Sequence, residues 1–291
     1  MSSKVKLSKG KKILIAVLCV FLALVIVITS AGAIVLREYC KTKDYQITAI
    51  GDNLEQRPLL VAHRGFRGYA PENTEPAFIE AGEAEYWGAE CDIYRTKDGV
   101  WVVHHDRSTY RMMDISKMIE SSTYEELLDG YTDNGVNIDK YPKLRICRFV
   151  DYMRVCNNYN MRAVIELKED NNQEYYNEII DICNEYPLVN ITFISFQFSD
   201  LQALRQITDK HLMYLVKEIK DEDIELAKSL ENCGIDFDGN NQANYDNDSA
   251  MIKKCKDEGL NMGAWTINEM DTLKKLLELG VYMITTDCIT Y

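Results

Sequence analysis

The nine cysteines form no CxxC pair and no other metal-ligand spacing. That excludes a zinc ribbon and a dithiol redox motif; cysteines scattered through a large domain read mostly as small, buried, free thiols, and an extracellular domain would permit a disulfide that the sequence does not pair. No glycine-rich nucleotide fingerprint follows any apolar run, which weakens a dinucleotide-binding sheet. No internal repeat or low-complexity tract interrupts the chain. Positive charge is in deficit: 33 Lys and Arg stand against 46 Asp and Glu, for a net charge of −13. The first 36 residues hold five Lys and no acid, so the remainder is more acidic still. Such a surface argues against a nucleic-acid partner, and an anionic substrate must be drawn in by a local cationic site. Histidine is scarce, with four in 291 residues, so its placement carries weight.

One long apolar run is present. Residues 1–12 are polar and carry Lys4, Lys6, Lys9, Lys11 and Lys12, and residues 13–36 then run without a charge. At 1.5 Å per residue this run is roughly 36 Å long, enough to cross a bilayer with some tilt. It predicts a single N-terminal transmembrane helix. A cleaved signal peptide, with Ser30-Ala31-Gly32-Ala33 as its small-residue site, is the competing reading, but its apolar core is normally about 7–15 residues. A helix buried in a soluble core suits so uniform a segment poorly. The Lys-rich flank places residues 1–12 in the cytoplasm and the folded domain outside. Residues 37–57 read as a polar connector and 58–291 as the domain.

The stretch from Leu59 to Asp106 is the densest in chemistry. An apolar run, residues 59–62, delivers His63-Arg64-Gly65. Pro71-Glu72-Asn73-Thr74 opens a helical pattern, with Asn73 or Thr74 as its cap and a predicted end near Trp87. A second run carries Glu90 and Asp92. Alternation along a strand puts both on one face, where they repel unless a cation sits between them, and turns Cys91 the other way. After the turn Thr96-Lys97-Asp98-Gly99, a third run ends in His104-His105-Asp106. That link is too short for a parallel crossover, so the third run returns as a hairpin. Imidazoles at strand ends supply acid and base near pH 7, and Arg64 is a fixed cation suited to phosphate. Together these residues imply metal-assisted chemistry on a phosphate ester.

Residues 107–145 are polar and irregular, with a short helical candidate at 123–128. A loop of that length is often functional. A helix is predicted over 147–158. Regular strand–helix alternation follows, with strands beginning at Ala163, Ile191, His211, Ile235, Asn261 and Tyr282. With the runs from Leu59 and Ala89 that makes eight parallel strands. The count predicts an α/β fold of the TIM (β/α)8-barrel type, with a β-hairpin and insertion after strand two. An open doubly wound sheet is the fallback. In a barrel, chemistry gathers at the C-terminal strand ends. His63, Arg64, Glu90, Asp92, Glu166 and Lys168 fall there, whereas His211 begins its strand and reads as structural. Glu90, Asp92 and Glu166 suit a hard divalent ion, Mg²⁺ or Ca²⁺. A solvated strand end for the first two, and a plain ion pair of Glu166 with Lys168, are the bland alternatives.

The order of these motifs resembles the glycerophosphodiester phosphodiesterase family. Glu166-Leu167-Lys168 is similar to that family's Glu-x-Lys strand, Trp265-Thr266-Ile267-Asn268 to its Trp-Thr-x-Asn strand, and Thr286-Asp287 to its closing Thr-Asp. The resemblance spans residues 59–291. It implies a divalent metal on Glu90, Asp92 and Glu166, acid–base catalysis by His63 and His105, and phosphate binding by Arg64 and Lys168. It also implies Trp265 at the substrate rim and an insertion over the mouth. The family has one His before this Asp, so His104 is a departure, and the role falls on His105. The family's Gly before the last strand's Ile is replaced around Tyr282-Met283, and Cys288 stands where it has an aromatic; both changes touch the substrate rim. The function implied is metal-dependent hydrolysis of small glycerophosphodiesters or lysophospholipids to glycerol phosphate and an alcohol. With the apolar run, it implies a single-pass cell-membrane enzyme whose catalytic domain is extracytoplasmic. The rivals are a related barrel phospholipase of the C or D type and an inactive barrel kept as a binding domain. An inactive relative is expected to have lost at least one of the seven catalytic, phosphate and metal positions.

Overall fold

The computed structural model describes residues 44–51, 54, 56–168 and 173–291. The predicted tail at 1–12 and transmembrane helix at 13–36 lie outside these residues. Among the described residues no helix is long and apolar enough to cross a membrane.

A short strand, β1 (Thr48–Ala49), leads into β2 (Leu59–Ala62), α1 (Glu75–Glu83), β3 (Gly88–Arg95) and β4 (Trp101–Val103). Next come α2 (Tyr124–Leu127), β5 (Cys147–Arg148), α3 (Phe149–Asn158), β6 (Arg162–Leu167), α4 (Tyr176–Asn184) and β7 (Ile191–Ser195). Then follow α5 (Phe198–Arg205), β8 (His211–Val216), α6 (Asp221–Ser229), β9 (Cys233–Asp238) and α7 (Asp246–Asp257). The chain ends through β10 (Met262–Trp265), α8 (Met270–Glu278), β11 (Met283–Thr286) and β12 (Ile289–Thr290). Eight of these strands pair in parallel in the order β2-β11-β10-β9-β8-β7-β6-β3. β2 also pairs with β3, with Val61 opposite Gly88, so the sheet closes on itself. The predicted eight-stranded barrel is what the structure contains. The hairpin is present too, with Ile93 opposite Val103 in antiparallel pairing.

Alternation builds two apolar layers. Val61, Val164, Ile194, Met213, Leu215 and Met283 point inward and fill the barrel. The intervening residues, among them Leu60, Cys91, Ile165, Phe193 and Phe237, face outward against Phe78, Phe149, Tyr152 and Leu273 of the helices. All seven described cysteines are free and buried, the setting in which a thiol behaves as a small hydrophobe.

Several boundaries differ from expectation. α1 stops at Glu83 because Glu85 turns left-handed (φ 58°), and the amide of Tyr86 then closes on the carbonyl of Ala81. The predicted helix at 147–158 starts at Phe149, because Cys147 and Arg148 pair with Val103 and Val102 at the hairpin edge. Thr48 and Ala49, read as connector, pair with Ile289 and Thr290. The polar insertion carries a satellite core of its own, in which Met112, Met113, Ile119 and Leu127 pack on Tyr94 and Val102 of the hairpin.

Candidate active site

The C-terminal strand ends open into a cavity of about 290 Å³. His63, Arg64, Glu90, His105, Glu166, Lys168 and Trp265 all line it. Asp92 lies just beneath, paired in register with Glu166 across β3 and β6. The structure therefore brings every predicted site residue to one place.

Glu90, Asp92 and Glu166 each offer a carboxylate oxygen within 4.8 Å of the others. Each is positioned by neighbours. Arg64 (φ 56°) and Gly65 (φ 73°) both adopt left-handed backbone after β2. This turn aims the Arg64 amide at Glu90 Oε2, 2.7 Å away. A Cβ at Gly65 would lie 2.8 Å from Ala77, so the turn needs glycine for space as well as for φ. Asn73, ahead of the capping Thr74 of α1, donates to Asp92 Oδ2 at 2.7 Å. Lys168 Nζ reaches Asp92 Oδ1 at 2.5 Å and Glu166 Oε1 at 2.7 Å. The plain ion pair is thus present, but as part of a larger cluster.

The electrostatics are those of crowded acids. Burial, Asp92 and Glu166 push Glu90 well above the ordinary carboxylate range. Burial raises Glu166 to about 7, with Lys168 opposing and Asp92 adding. Burial also acts on Asp92, but Lys168, His105 and Arg64 outweigh it and hold that group well below its usual value. Glu90 Oε1 is buried with no hydrogen-bond partner among the described residues. Three close carboxylates with an orphaned oxygen are the donor set a hard divalent cation takes.

Each cavity histidine leans on a carboxylate. His63 Nδ1 lies 2.7 Å from Asp287 Oδ1. Asp287 is fixed in turn by Asn268, whose Nδ2 donates to Oδ2 at 2.8 Å and whose Oδ1 accepts the Asp287 amide at 2.9 Å. Burial brings His63 down to about 4, with the Asp287 charge opposing. His105 Nδ1 lies 2.7 Å from Asp106 Oδ1, and Arg111 Nε holds the other Asp106 oxygen at 2.6 Å. Pairing at Nδ1 leaves Nε2 of both rings for the cavity. His104 is buried and does not line the cavity; its Nδ1 lies 2.8 Å from the Asp106 carbonyl oxygen and 3.1 Å from the Asp106 amide. His211, at the start of β8, is bonded to Thr192 and Asn261 and does not line this cavity.

Sequence reasoning missed part of this assembly. Glu72, seen only as a helix-opening residue, is a buried hub for Arg64 (2.8 Å), Arg67 (3.0 Å) and Arg111 (2.6 Å). Arg111 comes from the insertion, so that segment does reach the site. Asp106 and Asp287 stood in the motifs with no role attached. Asp236, on β9, was not singled out at all. Trp265 meets Phe196 edge-on at 5.6 Å and donates from Nε1 to the Asp236 carbonyl at 3.3 Å.

Residues 63–290 match the sequence model of the glycerophosphoryl diester phosphodiesterase family. The chain belongs to this family. Within it, YhdW of Bacillus subtilis (strain 168) is 30% identical over 240 residues, spanning 78% of this chain and 93% of YhdW. A phosphodiesterase from Oleispira antarctica, solved with the product sn-glycerol-3-phosphate, superposes with a TM-score of 0.72 and 25% identity. The match covers 79% of this chain and 93% of that one. The glycerophosphodiester phosphodiesterase of Thermotoga maritima shares the fold, with a TM-score of 0.65, 22% identity and coverage of 80% and 96%. This chain is accordingly a glycerophosphodiester phosphodiesterase, a hydrolase built on the parallel eight-stranded barrel.

Proposed function

We propose that this phosphodiesterase is metal-dependent and works through His63 and His105 as an acid–base pair, releasing glycerol phosphate and an alcohol. The observation that supports this most is the paired arrangement of the two imidazoles. Each has its Nδ1 on a carboxylate and lines the same cavity as two of the three acids. Glu90, Asp92 and Glu166 would hold an ion of the Mg²⁺ or Ca²⁺ class, which would supply positive charge to offset that of the phosphoryl group. Arg64 and Lys168 bind the phosphate from the same side. Trp265 bounds the cavity as its rim. The substrate class carries a hydroxyl next to the esterified carbon, and fixing the phosphate brings that oxygen within attacking reach of phosphorus. One histidine takes the hydroxyl proton as the new P–O bond forms. The other gives a proton to the leaving alkoxide as its P–O bond breaks. Water then opens the cyclic phosphate with the roles exchanged. Each histidine is worth roughly 10²–10⁴ in rate. A diester lacking the neighbouring hydroxyl tests this: it should bind and be turned over very poorly. Hydrolysis at a rate near that of the natural diester sinks the intramolecular route in favour of direct attack by water.

The same reading includes an uncleaved membrane anchor at residues 13–36, with the N-terminus cytoplasmic and the barrel extracytoplasmic. The charge-free run and its five preceding Lys support it. Protease added to intact cells should release a barrel-sized fragment. Protection that is lost only on lysis would overturn the orientation.

A further inference from the structure

Asp236 has no part in the chemistry above. It sits on β9, between Leu215 of β8 and Gly263 of β10. Ile235 and Phe237 on either side belong to the outer core, so Asp236 points into the barrel. Only 1% of it is exposed, and its Oδ1 has no hydrogen-bond partner among the described residues. It lies outside the three-acid group. Gly263 makes the room for it, since a Cβ there would stand 2.8 Å from Asp236 Oδ1.

A buried carboxyl with an idle oxygen is costly, and one lining a cavity points to a ligand. Asp236 is one of the cavity-lining residues, and around it the wall is largely apolar, formed by Ile194, Phe196, Leu215 and Trp265. β9 stands four strands from β3 in either direction round the ring, so Asp236 faces the acid cluster across the cavity. With a phosphate on Arg64 and Lys168, beside that cluster, the β9 wall is the part of the cavity left to the far end of a glycerol unit. Lys217, Thr266 and Thr285 also line the cavity; Asp236 is the buried carboxyl set among the apolar residues of that wall. Burial, with the Glu166 charge, pushes it up to about 8, which adds a donor to its acceptor at neutral pH.

We propose that Asp236 is a specificity-determining residue that hydrogen-bonds the terminal hydroxyl of the glycerol unit, the one not adjacent to the phosphate-bearing carbon. The assignment rests on the glycerophosphodiester reading of the site. It commits the pocket to polyol phosphates over their deoxy analogues, because a site with a buried polar partner rejects a ligand that leaves it unpaired.

The test is calorimetric binding of sn-glycerol 3-phosphate and 1,2-propanediol 1-phosphate to the full chain. The second ligand keeps the neighbouring hydroxyl and lacks the terminal one. Wild type should prefer glycerol phosphate by about 10- to 100-fold. Asp236→Leu should abolish the preference while leaving propanediol phosphate within about threefold of its wild-type affinity. Asp236→Asn, which retains a donor and an acceptor, should keep most of the preference. Thermal melts establish folding, and Asp236→Ala replaces the leucine variant if that one does not fold. The proposal is overturned if wild type shows no preference, or if the apolar variant keeps the wild-type ratio through an equal loss of both ligands. A folded wild type that binds neither ligand removes the glycerophosphodiester reading itself, a separate and recognisable failure.

Discussion

Asp287→Asn isolates what the carboxylate behind His63 contributes. The substitution preserves shape: the amide oxygen can still accept from Asn268 Nδ2, now 2.8 Å from Oδ2, and the backbone bond to Asn268 Oδ1 is untouched. The change falls on the contacts of Oδ1, 2.7 Å to His63 Nδ1 and 3.6 Å to Arg67 Nε. An amide NH₂ there makes Nδ1 an acceptor, so the proton moves to Nε2 and the ring cannot act as base toward the cavity. His63 already lies at about 4 through burial, with Asp287 the main charge holding it up; without that charge it falls further. The expected loss in kcat is roughly 10²–10⁴, or about 3–5 kcal/mol of barrier. KM should change little, because Asp287 lies behind the ring. The assay is steady-state turnover of glycerophosphocholine with melting curves recorded in parallel. A folded variant within about threefold of wild-type kcat would refute the role given to Asp287, and with it the tautomer argument for His63.

Other expectations concern the metal, pH and the second histidine of the pair. Glu90→Gln removes one carboxylate of the trio and relieves repulsion, so it should abolish activation by Mg²⁺ or Ca²⁺ while raising the Tm of EDTA-treated protein; full activity in EDTA would exclude the site. His63, at about 4 in the folded protein, lies below its ordinary value of 6.5. The unfolded chain therefore binds the proton first as pH falls, so stability is complete above about 6.5 and declines toward pH 4. For this one group the decline is at most roughly 3 kcal/mol, and a series of urea midpoints from pH 7 to pH 4 that runs flat would contradict it. His104→Ala should lower Tm, since the ring is buried, yet keep kcat within about tenfold. A collapse of kcat as deep as that of His105→Ala would show that the two adjacent histidines had been assigned the wrong way round.

The barrel was legible because its signals are local. Each strand is an apolar run of a few residues, and the reactive groups follow at the same end of each. Glu90 and Asp92 are two apart and share a face; so are Glu166 and Lys168. What escaped depends on closure in space. His63 and Asp287 are 224 positions apart, and nothing near either residue announces the other. Glu72 becomes a hub because a short turn supplies Arg64 and Arg67 and a distant insertion supplies Arg111. β5 pairs over two residues, too few for any periodicity to register. Glu85 ends α1 in a conformation usually marked by glycine, so no breaker stood in the sequence. Asp236 did leave a trace: Ile235-Asp236-Phe237 alternates a carboxylate with two large apolar residues, which is how an inward polar group on a barrel strand should look.

The seam between β2 and β11 bears on how the protein reaches this state. Met283 lies opposite Leu59, so the ring is completed by segments at opposite ends of the domain. A contact of that separation carries a high loop-closure cost and favours slow folding. Until β11 is available, β2 and β10 each present an unpaired edge, a template for association with other chains. The enzyme is therefore most open to aggregation late in synthesis, when seven strands are assembled and the eighth has yet to arrive. Truncations just short of Met283 should accumulate as insoluble material and not as shortened soluble domains.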